Sequence, residues 1–494
     1  EGTAKDILRD YAKFSESYSP GTANVQKYEA KVFVEGGEKG RDLIEKICVE
    51  CRRRGGKFKD ESFAGEQALG TFKEKPTCVW KRIDKITDNP ELVIGGIHAE
   101  DLEQGRIGDC WFISCLSSIA HRKPQIIEDA IEPKSVNEWG VYGVNLFYNG
   151  EPRMVVVDDL FPVGKGNRPV FVRSKEPNEI WPLILEKAFA KISGGYACME
   201  GGHERCMGVG GVIELLLGAE DATREELKEI GDIWSRLLEL HGDGRVITAS
   251  YRGKEILGLV PDHAYSVLGL HQLSLSRNAC LVHLRNPHGE KEWQGTWSDG
   301  SAEWTDRAQA EVPEYTDAND GSFFMDVKDF AEHFHSINHF GLFGDMPYAK
   351  VYHGTWDESS GGFRSKNNPL LEISSKHGGF PDGGSIWCEV AISHDLLKQD
   401  NGNGPGIWLG VCRLDNLQKI PSDLQTIVVA GPPEPNTLYM KRKRLNVRKV
   451  FQGEREGFKF FVVASCGQRN SPCKGKFHII VHATFQFELK RLVE

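Results

Sequence analysis

Between residues 112 and 120 the apolar side chains Phe112, Cys115, Leu116, Ile119 and Ala120 recur at i, i+3, i+4, i+7 and i+8. That period predicts a helix with one apolar face and with Cys110 in its first turn. Helical spacing dominates from 105 to 195. It is interrupted by runs at 141–148 and 153–158 joined across Asn149-Gly150, a strong hairpin signal. A short helix is expected at 41–54 and another near 223–241, after which the pattern turns to β-like runs at 246–251, 264–271 and 279–285. These fit an antiparallel sheet. From about 350 onward short apolar runs bounded by Gly, Pro, Asn or Asp recur, at 385–392, 407–414, 426–430, 459–464 and 478–483, which predicts a β-sandwich.

Length adds a domain count: 494 residues suggest about three domains. Hydrophobic residues are 39% and charged residues 27%, the make-up of a globular chain rather than a disordered one. The 54 glycines against 22 prolines follow no triplet period, so collagen is excluded and many turns are expected. Glycines cluster at 194–195, 201–202, 208 and 210–211, where loops between two subdomains are expected, and residues 1–40 read as a polar extension. The run Gly208-Val209-Gly210-Gly211 lacks the Lys-Ser/Thr of a phosphate loop.

A net charge of −10, from 61 basic and 71 acidic residues, gives no electrostatic footprint for nucleic acid. No apolar run reaches the ~18 residues of a membrane span, and the first thirty residues lack a signal-peptide pattern, so a cytoplasmic location is the expectation. The chain opens on Glu1 rather than Met. Its 12 scattered cysteines are expected to be reduced thiols, and Cys48-Val49-Glu50-Cys51 has the spacing of half a zinc site without the second half.

The stretch that carries chemistry is Gln104-Gly105-Arg106-Ile107-Gly108-Asp109-Cys110-Trp111-Phe112. A thiol at a helix N-terminus meets unpaired N–H groups and the positive end of the dipole, so its pKa is expected to fall and Cys110 becomes a candidate nucleophile. Such a nucleophile needs a base and an orienter. His263 lies 153 residues on, near the papain-like spacing, at the start of a predicted strand, and Asn286 follows at the end of the next. Adjacent antiparallel strands can bring the two side chains together, with Asn286 fixing the imidazole tautomer. Gln104 stands six residues before Cys110, where its amide could join the Cys110 N–H as an oxyanion hole.

On these residues the sequence resembles the calpain family of calcium-dependent cysteine proteases. The resemblance covers 40–494 and includes Trp80-Lys81-Arg82, Val155-Val156-Val157-Asp158-Asp159, Leu185-Glu186-Lys187-Ala188-Phe189-Ala190-Lys191, the segment after His263, Glu292-Trp293, Trp297-Ser298-Asp299, Trp304 and Gly354-Thr355-Trp356. It implies an α+β fold: a two-lobed papain-like cysteine protease core followed by a calpain-type antiparallel β-sandwich. The expected division is an extension at 1–40, a Cys lobe at 41–200, a His/Asn lobe at 201–347 and the sandwich at 348–494.

The same resemblance implies Ca²⁺ as cofactor, one ion in each lobe, drawing Cys and His together. In the first lobe the matching ligands are the side chains of Asp101 and Glu179 with the carbonyls of Ile94 and Gly96. In the second they are Glu292, Asp299 and Asp320 with the carbonyl of Ala318. Ser322 stands where the family has Glu, so this site is expected to be weaker unless Asp317 substitutes, and His288 stands where the family has a shielding Trp, which suggests a more pH-sensitive triad.

No EF-hand loop follows the sandwich, so a penta-EF-hand domain and its small-subunit partner are not implied. The acidic loop of some relatives is reduced to Asp395 and Asp400. Family analogy allows weak phospholipid contact, with membrane association, through Lys441-Arg442-Lys443-Arg444, although a solvated face is the simpler reading there and at Arg52-Arg53-Arg54. The expected function is limited proteolysis of intracellular protein substrates by a calcium-dependent cysteine endopeptidase. The alternatives are a Cys-His transferase of transglutaminase type, which would have Asp in place of Asn286, and a calcium- or lipid-responsive scaffold with an inactive core.

Overall fold

A computed structural model describes residues 32–148, 151–201, 208–217, 222–273, 279–341, 348–356, 370–375, 379–392, 407–414, 444–452, 459–468, 471–472 and 475–491. The turn Asn149-Gly150, the run 426–430, Asp395, Asp400 and Lys441-Arg442-Lys443 lie outside them. Helices and strands both contribute, so the fold is α+β.

Within the stretch read as an extension, Phe33–Glu35 pairs antiparallel with Glu151–Asp158 and buries Val32, Phe33 and Val34. The helix Glu38–Arg54 follows and ends at Gly55, whose φ of 68° is left-handed backbone suited to glycine. Its buried face is Leu43, Ile44, Ile47 and Cys51, and Arg53 and Arg54 turn back onto Glu50. Strands 131–132, 141–148, 151–158 and 33–35 form one antiparallel sheet.

The helix Trp181–Ser193 packs beside that sheet, and two of the motifs quoted above meet there. Lys187 Nζ donates to Asp158 and to the Leu160 carbonyl at 2.6 Å, and Lys191 Nζ donates to Asp60 Oδ2 at 2.7 Å and to the Val156 carbonyl at 2.8 Å. Both ammonium groups are buried. A buried cation persists only with such partners, and removing one partner of a buried pair costs about 3–5 kcal/mol. These motif residues therefore join helix to sheet.

A six-stranded antiparallel sheet follows, in the order 322–326, 280–285, 263–272, 246–251, 334–340, 222–226. The helix expected at 223–241 is corrected here. Ala222–Glu226 is an edge strand paired with Phe334–Phe340, and the helix spans Ile233–Gly242, started by Asp232, whose side chain accepts the Ser235 N–H. The charged Arg224-Glu225-Glu226 stretch favours helix by propensity, but the sheet edge takes it and the Asp232 cap sets the start. The glycine cluster was also misread in part: Gly208, Gly210 and Gly211 lie in the helix Gly208–Leu217 rather than in a loop.

The helix Cys110–Arg122 lies between these two sheet systems. Its predicted apolar face is buried, but so are Ser114, Ser117 and Ser118 on the other face. The reason is contact with the six-stranded sheet. Ser266 Oγ donates to the Ser114 carbonyl at 2.9 Å, Ser118 Oγ reaches the Ile247 carbonyl at 3.4 Å, and Arg285, fully buried, reaches Ser117 Oγ and the Glu100 carbonyl.

Two further antiparallel sheets share one apolar core: strands 348–356, 475–483, 382–392 and 444–452, and strands 407–414, 459–468, 370–375 and 487–491. Trp356, Leu371, Ile373, Ile386, Val390 and Ile479 meet between them, so this is a β-sandwich.

Candidate active site

Cys110 is the first residue of its helix and Asp109 the cap before it. The loop ahead is pinned by its neighbours. A Cβ on Gly105 would come within 2.0 Å of the Phe171 carbonyl oxygen, so only glycine passes there. Gln104 N–H donates to the Pro287 carbonyl at 2.8 Å, tying this loop to the residue after Asn286.

The base comes from the adjacent sheet. His263 opens its strand directly after Asp262, which takes the left-handed φ of 48° that Asp tolerates better than most residues. Arg285 pairs with Ser266, so Asn286 lies diagonally across from His263. His263 Nε2 and Asn286 Oδ1 are 2.8 Å apart. Asn286 Nδ2 donates to the carbonyls of Glu290 and Lys291 at 2.8 and 2.9 Å, which fixes the amide orientation. Its Oδ1 is then purely an acceptor, so Nε2 carries the proton and Nδ1 keeps the lone pair. The Asn286 backbone is held as well, its N–H donating to Gly321 O at 2.7 Å.

Cys110 sits against this strand: the N–H of Ala264, next to His263, points at its sulfur, as do the N–H groups of Trp111 and Cys110 itself. The lowered thiol pKa expected from the helix start is nevertheless not observed. Burial, with the Asp109 charge adding to it, outweighs the three N–H groups and pushes the thiol up to about 11. Burial and the neighbouring His288 push His263 down to about 3. In this geometry the pair rests as thiol and neutral imidazole.

His288 lies flat on His263, centroids 4.4 Å apart and planes at 13°. It covers the imidazole as a shielding ring would, but it is itself titratable. The Gln104 amide donates to the Ile107 carbonyl at 2.7 Å, which leaves its second N–H for another acceptor. The structure thus joins His263 to Asn286 directly, sets Cys110 against the residue that follows His263, and ties the Gln104 backbone to Pro287, the residue after Asn286.

The candidate calcium ligands form two groups. In the first, Glu179 accepts from the Ile94 N–H at 2.8 Å and from Ser174 Oγ at 2.6 Å, so the loop carrying the Ile94 and Gly96 carbonyls passes over it. Burial, then Asp101, pushes Glu179 up to about 7, and burial raises Asp101. In the second, Glu292 accepts from the N–H groups of Asp320 and Gly321 at 2.8 and 2.6 Å. Both Asp299 oxygens are buried without a partner among the described residues. Burial, then Glu292, Asp317 and Asp320, push Asp299 up to about 7.

Buried, mutually repelling carboxyl groups, with both Asp299 oxygens lacking a partner among the described residues, are a donor set that fits a hard cation. Among the described residues no three His, Cys, Asp or Glu side chains converge as a preformed metal cluster. Asp317 faces Asp299, whereas the Ser322 hydroxyl is buried and without a partner among the described residues.

Sequence reasoning missed two features. Arg285, one residue before Asn286, reaches from the six-stranded sheet to the Cys110 helix and the Glu100 carbonyl, and Glu186 touches Asp109. The signal for Glu186 was its place among apolar residues of the Leu185–Lys191 motif.

Residues 58–339 match the calpain family cysteine protease profile. Calpain-9 of Homo sapiens is 32% identical over 388 residues, covering 72% of this chain and 54% of that protein. Calpain-5 of Mus musculus is 32% identical over 342 residues, covering 63% of this chain and 53% of its own length. The calpain-type cysteine protease ADL1 of Oryza sativa subsp. japonica is 35% identical over 301 residues, 58% of this chain and 13% of that protein. The chain thus spans about half the length of the two animal relatives. With a family model matching more than half of its length, the chain belongs to the calpain family of cysteine proteases.

Proposed function

We propose that the chain is a calcium-dependent cysteine endopeptidase acting on protein substrates by limited cleavage. The observation that carries this reading is the 2.8 Å contact of His263 with Asn286, one residue from the N–H that meets the Cys110 sulfur. Cys110 attacks the scissile carbonyl, while His263 takes its proton at Nδ1 and later gives it to the leaving amine. Asn286 holds the ring and stabilises the imidazolium through Nε2–H. The Cys110 N–H and the free N–H of Gln104 stabilise the oxyanion.

Asp101, Glu179 and the carbonyls of Ile94 and Gly96 would hold one Ca²⁺, and Glu292, Asp299, Asp320 and the carbonyl of Ala318 the other, with Asp317 in the place that Ser322 leaves. Calcium supplies the positive charge that these carboxylates lack. The division into lobes at 41–200 and 201–347, with a sandwich at 348–494, belongs to the same reading, as do a cytoplasmic location and weak phospholipid contact through the sandwich. Among the described residues no helix is long and apolar enough to cross a membrane.

The test is casein cleavage across a calcium titration, with Cys110→Ser as control. Cleavage that rises with calcium and vanishes in Cys110→Ser is expected; no cleavage at millimolar calcium refutes it in favour of a calcium- or lipid-responsive scaffold.

A further inference from the structure

Asp109 and Glu186 are both buried, 0% and 2% exposed. They arrive from different elements, Asp109 as the cap of the Cys110 helix and Glu186 from the middle of the helix Trp181–Ser193. Their carboxyl groups are in hydrogen-bonding contact. Glu186 Oε1 accepts from the Val172 N–H at 2.8 Å, but neither Asp109 oxygen meets a protein donor among the described residues.

An Asp at this position ordinarily accepts the N–H of the second or third helical residue. The Asp109 side chain makes no such bond and faces Glu186 instead. Two carboxylates touching in a dry site cannot both be ionised, because burial and mutual repulsion both favour retaining a proton. Both carboxyls are accordingly raised. The other ionisable groups facing them are Arg173, a minor attraction on Glu186 that is shared with Glu103 at 3.5 Å, the buried Tyr196 hydroxyl, and Cys110.

We propose that Asp109 and Glu186 share a single proton and act as positioning residues for Cys110, their remaining negative charge holding the nucleophile as a thiol unless the His263 imidazole is protonated to balance it. The inference rests on reading Cys110 as the nucleophile. No proton passes between the pair and Cys110. The charge beside the sulfur works against the helix start, so the isolated cysteine is inert and the thiolate forms only where an imidazolium balances it.

The test follows the alkylation rate of Cys110 by iodoacetamide from pH 5 to 11, read by mass spectrometry of its peptide, in chelator and without substrate. The full chain is compared with Asp109→Asn and Glu186→Gln, each with a thermal melt. Asp109→Asn should move the thiolate midpoint down by about one pH unit, a roughly tenfold faster reaction on the lower limb. Glu186→Gln gives Asp109 an amide donor and leaves it ionised, so the parent profile, broadened by titration of the pair, should sharpen to a single step. An Asp109→Asn midpoint equal to the parent's overturns the proposal even if its melting temperature falls. Should Asp109→Asn fail to fold, an unsharpened profile in Glu186→Gln overturns it. Failure of calcium-dependent cleavage would not alter these profiles, so the two readings are judged separately.

Discussion

Replacing His288 by Trp should change the acid side of the activity profile and leave the neutral region alone. The His288 ring is stacked on His263 with centroids 4.4 Å apart. Two positive charges at that separation repel by about 1 kcal/mol in bulk water and about 4 kcal/mol at an effective dielectric near 20. His288 is only partly exposed, which places the pair toward the larger figure. At 1.36 kcal/mol per unit, a protonated His288 depresses the basicity of His263 by about 1 to 3 pK units.

Burial, with Lys291 adding to it, holds His288 below the ordinary histidine value, so this penalty is absent at neutral pH and grows only on the acid side of the ordinary histidine range. A Trp there covers the imidazole without titrating. The assay is kcat/KM on a fluorogenic peptide from pH 5 to 8.5 at saturating calcium. Over this range the parent's kcat/KM should fall on the acid side as one proton binds His288, while that of His288→Trp stays flat, with the two enzymes equal above pH 7. Superimposable profiles would refute the electrostatic reasoning.

Three further outcomes are expected. Asn286→Ala removes the acceptor that holds the His263 Nε2–H and should lower kcat/KM by about 10- to 100-fold, the ~1.5–3 kcal/mol of a hydrogen bond to a charged group; peptide hydrolysis unchanged in rate would contradict the assignment. Asp317→Asn should raise the calcium concentration for half-maximal cleavage about fivefold, the size of ~1 kcal/mol, while Ser322→Glu lowers it; calcium titrations of both variants check this. His283, buried and stacked on Phe324, is pushed down to about 3, so the unfolded chain binds a proton that the folded one refuses, and stability falls as pH drops below 6.5. Between pH 7 and 5 that loss is about 2 kcal/mol for this side chain, and His283→Phe should remove it, as urea melts in a Cys110→Ser background would show.

Much of this site was legible because its chemistry imposes order on the chain. The helix start at Cys110 followed from apolar spacing, and the approach of His263 to Asn286 was expected from two strands that could lie side by side. The electrostatics were not legible. A thiol at a helix start reads as acidic, yet Cys110 is raised, because burial and Asp109 depend on what packs around the helix. Propensity failed at Arg224-Glu225-Glu226 for a related reason: a sheet edge supplied by residues more than a hundred positions later claimed them. Apolar periodicity could not disclose the burial of Ser114, Ser117 and Ser118, since they follow no apolar stripe and are covered only from the six-stranded sheet.

Those serines also set the character of the seam in which the nucleophile's helix lies. An apolar seam is a jigsaw whose pieces fit at one offset, and sliding it opens voids on one side and clashes on the other. A hydroxyl rotates freely and both gives and accepts, so after a shift of a few ångströms it finds another carbonyl at little loss. The bond from Ser266 to the Ser114 carbonyl is of this exchangeable kind, whereas Ser118 Oγ donates within its own helix to the Ser114 carbonyl at 2.8 Å and stands 3.4 Å from the Ile247 carbonyl. The face of the Cys110 helix that meets the base-bearing sheet is therefore lined by small hydroxyl side chains rather than interlocking aliphatic ones, and replacing Ser114 or Ser118 by larger aliphatic residues is expected to make the seam less tolerant of a small shift.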